Sequence, residues 1–523
     1  MESRATMFCL LNSLDVNRGG MTKAALLQAN LFAELGYETY ILTFNFNPRY
    51  NTIIQQLIKQ GKIDKRIKLL NMFESLSLTN RSTLQQKEIE TIKRIEEFNA
   101  VLDKRAGFNA YRAYENGLYT TYINYDKENK VSFLDYFNEQ RYRTKREEYD
   151  EYGYLRKVAY MDFELNKPRQ KIYFDDKGQA YLSVWSNPKN GKPNRVNHFN
   201  SNGALLSVHT NELDLKTKWV ESIIKDYDYP VLVCDARTSD PVMMNVKLEK
   251  AIKIWRLHSN HVKPPYNVDG EIGVKIAPTL EAIDELDVAL LLTESQKVDL
   301  EERFGKKDNI RVIPHYMKDF AESGWFSSFK KADNLAVIIS RFSTLKRIDH
   351  SIKAFKKVVN RIPKAKLEIW GLGVEEPNLR KLIKELDLQN HVFLKGYTND
   401  PGKLYQKALF SVVTSKSEGF SLGILESMSN GSPMISYDIN YGPRDLIINE
   451  ETGFIIENGN IDQLSEKMIW MFENKKAALN MGKKAVKDMK ERFNEQQYTD
   501  KWVDTIETAV KNKKAKLGVY AYK

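Results

Sequence analysis

Along the chain, the rhythm of apolar and polar positions changes three times. Residues 1–45 hold an apolar run, "MFCLLNSL", a glycine turn, "DVNRGG", an amphipathic stretch, "MTKAALLQANLFAELG", and a second apolar run, "YETYILTF". That order predicts strand, turn, helix and strand, the helix stopping at Gly36, and such a βαβ opening implies a parallel sheet. From about residue 76 to 210, short alternating, tyrosine-rich segments take over, among them "GLYTTYINYD", "YLRKVAYMDF" and "KIYFDDKGQAYLSVWS". Turn sequences such as "DDKG" and "KNGK" separate them, which is hairpin chemistry, so an antiparallel β-rich insertion interrupts the first domain. Near residue 211 the βα rhythm returns, with "WVESIIKDYD" as helix and "YPVLVCDA", "KAIKIWRLHS" and "VALLLTES" as strands. From 335 onward "LAVIISRF", "AKLEIWG", "HVFLKGY", "LFSVVTSK" and "SPMISYD" alternate with helical stretches, and the last 60 residues are helical and rich in lysine.

Continuous apolar strands spaced by helices mean parallel sheets covered on both faces. The fold class is therefore α/β, with two Rossmann-like, doubly wound domains. Ligands of such sheets bind beyond the carboxyl ends of the strands, where two facing halves would enclose a cleft. The expected boundaries are 1–75 with 211–320 for the N-terminal domain and 76–210 for the β-rich insertion. Residues 321–500 form the C-terminal domain, and 501–523 a basic helical tail.

Composition narrows the class little. A chain of 523 residues with 42% hydrophobic and 28% charged residues is an ordinary globular protein of more than one domain. Its two cysteines, Cys9 and Cys234, lie in apolar strand-like runs, where packing is the expected role, and such usage suits a reducing cytosol. Neither a signal peptide nor a span of about 20 apolar residues is evident. The net charge of +11 fits either a solvated surface or a polyanionic partner. Nucleic acid is excluded for want of any zinc-finger spacing or RNA-binding aromatic motif.

Candidate chemistry gathers in "SEGFSLGILE", residues 417–426. Glu418 falls in the loop after a strand and Glu426 about one turn into the next helix, roughly 8 Å along its axis from a start near Ser421. The helix start, at Ser421, Leu422 and Gly423, offers backbone N–H groups and a positive dipole end to phosphate. A carboxylate only accepts hydrogen bonds, so it suits sugar hydroxyls and not phosphate. Hydroxyls at both ends and phosphates between describe a nucleotide-sugar; the alternative is that Glu418 merely caps and Glu426 faces water. "SRFSTLKRID" adds Arg341 and Lys346 after another strand, cations able to grip a diphosphate, unless they are a solvated helix face. Gly19 and Gly20 allow close backbone approach before the first helix, but the stretch is not G-x-G-x-x-G. His258 and His261, in "RLHSNH", lack a third ligand and are not read as metal ligands; His258 at a strand's carboxyl end could bond a substrate hydroxyl or simply pack.

Glu418, seven residues, then Glu426, with Arg341 and Lys346 five apart upstream, resemble the retaining GT-B glycosyltransferases of family 4. "NRGGMTKAALLQAN" and the β-rich insertion make the chain most similar to the α-glycosyltransferases that decorate wall teichoic acid, poly(glycerol phosphate) or poly(ribitol phosphate). The resemblance implies a UDP-sugar as donor substrate, no cofactor and no metal. Arg341 and Lys346 would hold the diphosphate, Glu426 the ribose and Glu418 the hexose hydroxyls. Amides of Ser421, Leu422 and Gly423 would help, His258 would sit over the transferred sugar, and Gly19 and Gly20 would line the donor site. Gly396 and Tyr397 fall where the family cradles uracil. The N-terminal half would face the acceptor, and the insertion would build a homotrimer. "VIPHYM", with His315, departs from the commoner Pro-Asn-Gly linker.

The basic balance then fits a polyphosphate acceptor, and Lys247, Lys250, Lys253, Arg256 and Lys263 are expected to guide the polymer. The favoured pairing is UDP-glucose with poly(glycerol phosphate). The alternatives are UDP-N-acetylglucosamine with poly(ribitol phosphate), Ser/Thr glycosylation of a secreted adhesin, or an inactive binding subunit, which should have lost the carboxylates Glu418 and Glu426 or the Arg341/Lys346 pair. The expected location is the cytoplasm, and a lipid-linked acceptor would draw the enzyme to the inner face of the membrane.

Overall fold

The computed structural model describes residues 5–16, 19–77, 100–318, 320 and 331–518. Asn17 and Arg18 of the glycine turn, residues 78–99 of the insertion, the expected 320/321 boundary and the last five residues of the tail lie outside the described residues. The chain divides into two compact units, 1–252 and 253–523.

In the first unit the strand Thr6–Leu11 is buried along its whole length and runs parallel to Thr39–Thr43 on one side and Pro230–Cys234 on the other. Lys68–Asn71 extends this parallel run beyond Thr39–Thr43. The intervening helix, Gly20–Glu34, ends on Gly36 at φ 78°, where the amides of Gly36 and Tyr37 bond back to Ala33 and Phe32. A left-handed residue is what closes a helix this way, and glycine adopts it without strain.

The insertion is a ten-stranded antiparallel sheet from Val101–Lys104 to Leu205–His209, its strands paired in chain order. Its turns use the expected chemistry. At "DDKG" the Asp175 carboxylate accepts from the amides of Lys177 and Gln179, with Gly178 at φ 79°. The sheet packs on the rest of the unit through Tyr173, whose ring lies 5.1 Å from Phe46 and 4.8 Å from Phe73.

The second unit begins within the strand Ile252–Arg256, which runs parallel with Val288–Leu291 and Ile310–Val312. Its six-stranded parallel sheet has the order Val392–Gly396, Lys366–Trp370, Ala332–Ile339, Ala408–Val413, Met434–Tyr437, Gly453–Ile456. Numbered in chain order this is 3-2-1-4-5-6, the doubly wound arrangement, which places a topological switch between Ala332–Ile339 and Ala408–Val413. Helix Ile348–Arg361 lays Ile348, Ile352, Phe355 and Val358 on this core at helical spacing, alongside Leu367, Phe410 and Met468.

One expected boundary is drawn differently: residue 501 lies inside one unbroken helix, Glu495–Leu517. That helix returns to the strand Val288–Leu291: Trp502, Ile506 and Ala509 are buried, and Lys513 meets Asp287 at 2.9 Å. A lysine-rich sequence conceals this, because the apolar residues occupy only one helix face.

Candidate functional site

The switch point collects the candidate residues. After Ile339 the chain folds tightly beside "WGLG": a Cβ at Gly371 would lie 1.8 Å from Ser340 O, and one at Gly373 2.1 Å from Phe342 O. Only glycines permit that approach. It sets the short helical turn Thr344–Lys346 at the carboxyl end of the sheet, with Arg341 exposed. Lys346 Nζ donates to Glu418 Oε1 at 2.5 Å, and Ser415 Oγ donates to the same oxygen at 2.6 Å. Lysine has three N–H donors, so the others remain for an anion. The structure thus joins Lys346 and Glu418 directly, where the sequence assigned them to different parts of a ligand.

Helix Leu422–Ser429 starts at Ser421, which has φ 74° and no side-chain cap. Glu426 is half-buried on it, and burial together with the Glu426 charge pushes the Tyr405 phenol well up. A Cβ at Gly423 would make ordinary contacts, 3.8 Å from Tyr405 Oη, so packing does not demand glycine there. Gly396, at φ 81°, ends its strand and accepts from the Gly371 amide at 2.7 Å; Tyr397 beside it is exposed.

A second loop closes on the first. A Cβ at Gly419 would stand 2.3 Å from His258 O, so "SEGF" touches the backbone that follows strand Ile252–Arg256. Asn260 Nδ2 donates to Ser417 Oγ at 2.9 Å and to Asn440 O at 3.3 Å. The His258 ring stacks on His315 at 5.4 Å and 19°, and Phe420 meets His315 edge-on at 5.4 Å. Burial, then the nearby Arg256 and His258, holds the His315 imidazole well below its usual range, so it is neutral. His261 is fully buried against Tyr441, 5.9 Å away, and does not share a site with His258. Among the described residues no three His, Cys, Asp or Glu side chains converge as a metal-ligand set.

Gly19 and Gly20 lie in the first unit, Gly20 opening the helix that follows strand Thr6–Leu11. The set of basic residues needs correction. Lys253 and Arg256 are 1% and 0% exposed. Arg256 donates to Tyr498 Oη at 3.2 Å and to Ile313 O at 3.3 Å, and burial, then Lys513, pushes the Lys253 ammonium down to about 8. A strand of a parallel sheet buries both faces, so charges on it are paired inside and not offered to a polymer. Lys247 is exposed, while Lys250 bonds Glu221 at 2.9 Å and Lys263 bonds Glu271 at 2.6 Å.

The sequence reading missed Arg347. It occupies the left-handed region at φ 44° and donates to Thr414 O, Ser415 O and Asn458 Oδ1 at 2.8, 2.6 and 2.6 Å. Its guanidinium lies 4.7 Å from the Tyr437 ring. The only signal was its place beside Lys346; Ser415 and Asn260 gave none.

"Glycosyl transferase 1 domain A" matches residues 8–228, and "Glycosyl transferases group 1" matches residues 319–488. The chain is 31% identical over 511 residues to the poly(glycerol-phosphate) alpha-glucosyltransferase of Bacillus subtilis strain 168, covering 95% of this chain and 74% of that one. It is 29% identical over 502 residues to the poly(ribitol-phosphate) alpha-N-acetylglucosaminyltransferase of Staphylococcus aureus strain COL, covering 95% and 99%. A crystal structure of an S. aureus TarM variant in complex with Fondaparinux, alpha-GlcNAc-glycerol and UDP matches with a TM-score of 0.84 at 28% identity, over 96% of this chain and 99% of that one. Similarity of this extent, over nearly the whole length, makes the chain a member of the group 1 glycosyltransferases, built on the GT-B fold.

Proposed function

We propose that the chain is a UDP-sugar-dependent, retaining α-glycosyltransferase that moves glucose from UDP-glucose to hydroxyls of poly(glycerol phosphate) wall teichoic acid. The observation that carries this reading is the Lys346–Glu418–Ser415 cluster at the switch point of the C-terminal sheet.

In this reading Arg341, the spare donors of Lys346 and the amides at Ser421, Leu422 and Gly423 hold the diphosphate. They stabilise the charge that builds on it as the sugar leaves, so no metal is needed. Glu426 accepts from the ribose, Glu418 from the hexose, and Gly396 and Tyr397 flank the uracil. His258 lies over the transferred sugar. The acceptor oxygen attacks the anomeric carbon on the face that UDP leaves. One C–O bond forms as the other breaks, the bonding pair goes to the phosphate oxygen, and the hydroxyl proton follows it. Retention of the α configuration results. Lys247, Lys250 and Lys263 remain as candidates to steer the polymer.

A second pairing, UDP-N-acetylglucosamine with poly(ribitol phosphate), is supported by the S. aureus relative, of which 99% is covered against 74% of the B. subtilis one. The enzyme would work in the cytoplasm as a homotrimer assembled through the ten-stranded sheet. UDP release is measured with each donor offered each acceptor. Acceptor-dependent release in the glucose–glycerol pairing is the expected result. Release only with N-acetylglucosamine and ribitol transfers the assignment to the second pairing, and silence in all four with a folded protein refutes the reading.

A further inference from the structure

The chain that leaves strand Ile310–Val312, "IPHYM", is pinned on both sides of His315. The Ile313 amide donates to Leu291 O at 3.0 Å, and its carbonyl accepts from the fully buried Arg256 at 3.3 Å. Pro314 follows, with φ fixed by its ring, and it keeps Ile313 extended. Beyond His315, Tyr316 stacks on Tyr498 at 4.4 Å and the Met317 amide donates to Phe493 O at 3.0 Å. Arg256 lies over the rings of Tyr498 and Trp502, 5.7 and 5.6 Å away, so the anchors on both sides share one buried cluster. His315 itself is 7% exposed.

Two loops meet this imidazole. The His258 ring stacks on it at 5.4 Å and 19°, and Phe420 meets it edge-on at 5.4 Å and 78°. Phe420 is buried and meets Phe493 edge-on at 5.8 Å. Aromatic rings at such separations attract in these two arrangements, which fix ring planes as well as positions. His258 needs that. It follows a buried strand but is only partly buried, and packing decides which rotamer of its two side-chain torsions is kept. Burial, then Arg256 and His258, holds His315 neutral, so it stacks without setting a second charge beside its partner.

We infer that His315 is a positioning residue, whose ring fixes the plane of His258 and ties it to the loop that carries Glu418. The inference rests on the reading that places His258 over the transferred sugar, and deepens it. Phe420 stands two residues after Glu418, and Gly419 between them already lies against His258 O. The same two loops are thus joined once through backbone and once through rings. A side chain that merely filled the space would need volume alone; one that sets a ring plane must be flat.

The full chain is compared with His315→Phe, His315→Leu and His315→Ala. Turnover is read as UDP release with the donor and acceptor that the parent uses, and UDP affinity by calorimetry. UDP is held in this reading by Arg341, Lys346 and Glu426, so its affinity should be unchanged in every variant. Misplacing a reacting group by about 1 Å costs about 10²-fold, so His315→Ala and His315→Leu should lower kcat by at least about tenfold, while His315→Phe stays near the parent. Equal rates for the Leu and Phe variants overturn the inference, as does parental kcat in His315→Ala. So does UDP affinity lost in step with kcat, the mark of a collapsed loop. Should His315→Ala fail to fold, the comparison of Leu with Phe still decides. A second readout needs no substrate. In protein with isotope-labelled histidine, seven residues in all, the His258 ring signal is assigned by its absence from His258→Gln. It should remain one sharp line in His315→Phe and split or broaden in His315→Ala. If the parent transfers no sugar, the functional reading falls and this signal judges the stack: a line as sharp in His315→Ala as in the parent overturns the inference.

Discussion

An alanine at Gly419 would place its Cβ 2.3 Å from His258 O, 2.6 Å from His258 C and 2.8 Å from Ser259 Cα. All three are backbone atoms, so no side chain can swing away to make room. Ordinary van der Waals separation for such a carbon starts near 3.4 Å, so one of the two loops must retreat by about 1 Å. Overpacking of this kind costs about 1–3 kcal/mol, a fall of a few degrees in Tm for a unit this size. The larger effect is positional. Glu418 precedes Gly419, and the displaced backbone belongs to His258, so both residues assigned to the sugar shift relative to each other. Misplacement of a reacting assembly by 1 Å costs about 10²-fold in rate. Gly419→Ala should therefore lower kcat for UDP release by about two orders of magnitude while the protein still folds. Gly423→Ala is the control, since its Cβ would sit 3.8 Å from Tyr405 Oη. It should leave Tm unchanged and raise KM for the donor if phosphate approaches that helix start. Gly419→Ala turnover within twofold of the parent would refute the claim that contact between these loops sets the catalytic geometry.

Glu418→Gln removes the charge that holds Lys346 and should lower kcat/KM by about 10²–10³, the scale of losing one preorganised polar group; initial rates equal to the parent's would contradict the assignment. Arg347→Gly suits φ 44° and recovers about 1–2 kcal/mol of left-handed strain, offsetting its lost hydrogen bonds. Stability should therefore change little while kcat falls about tenfold, and an unchanged kcat would show that bracing Ser415 is irrelevant to turnover. His261 is buried, with neither ring nitrogen hydrogen-bonded among the described residues, and burial pushes its imidazole down to about 4. The unfolded chain takes up a proton below its ordinary value of 6.5 and the folded one only near 4, so stability is lost as pH falls across that window, by up to about 3 kcal/mol. His261→Phe should flatten denaturant midpoints between pH 6.5 and 4, and an unaltered pH slope would contradict this.

Local chemistry made much of the fold legible. Buried parallel strands read as unbroken apolar runs such as "LAVIISRF", hairpins announced themselves through Asp and Gly at fixed offsets, and the Glu418–Glu426 spacing marked a loop and a helix start. These signals depend on neighbours within a few residues, which sequence displays directly. Contacts between distant segments do not appear that way. Lys253 and Arg256 read as surface cations because charge was judged without knowing which strand faces would be covered; the return of Glu495–Leu517 buries them among Trp502, Tyr498 and Asp287. Arg347 and Asn260 matter through hydrogen bonds to residues 67, 68 and 157 positions away in the chain. By itself the sequence determined the elements, their order and the residue types able to hold a nucleotide-sugar. Only the tertiary structure decided that Lys346 grips Glu418 and that Gly419 lies against His258, because burial and hydrogen-bond geometry are properties of segments brought together from far apart in the chain.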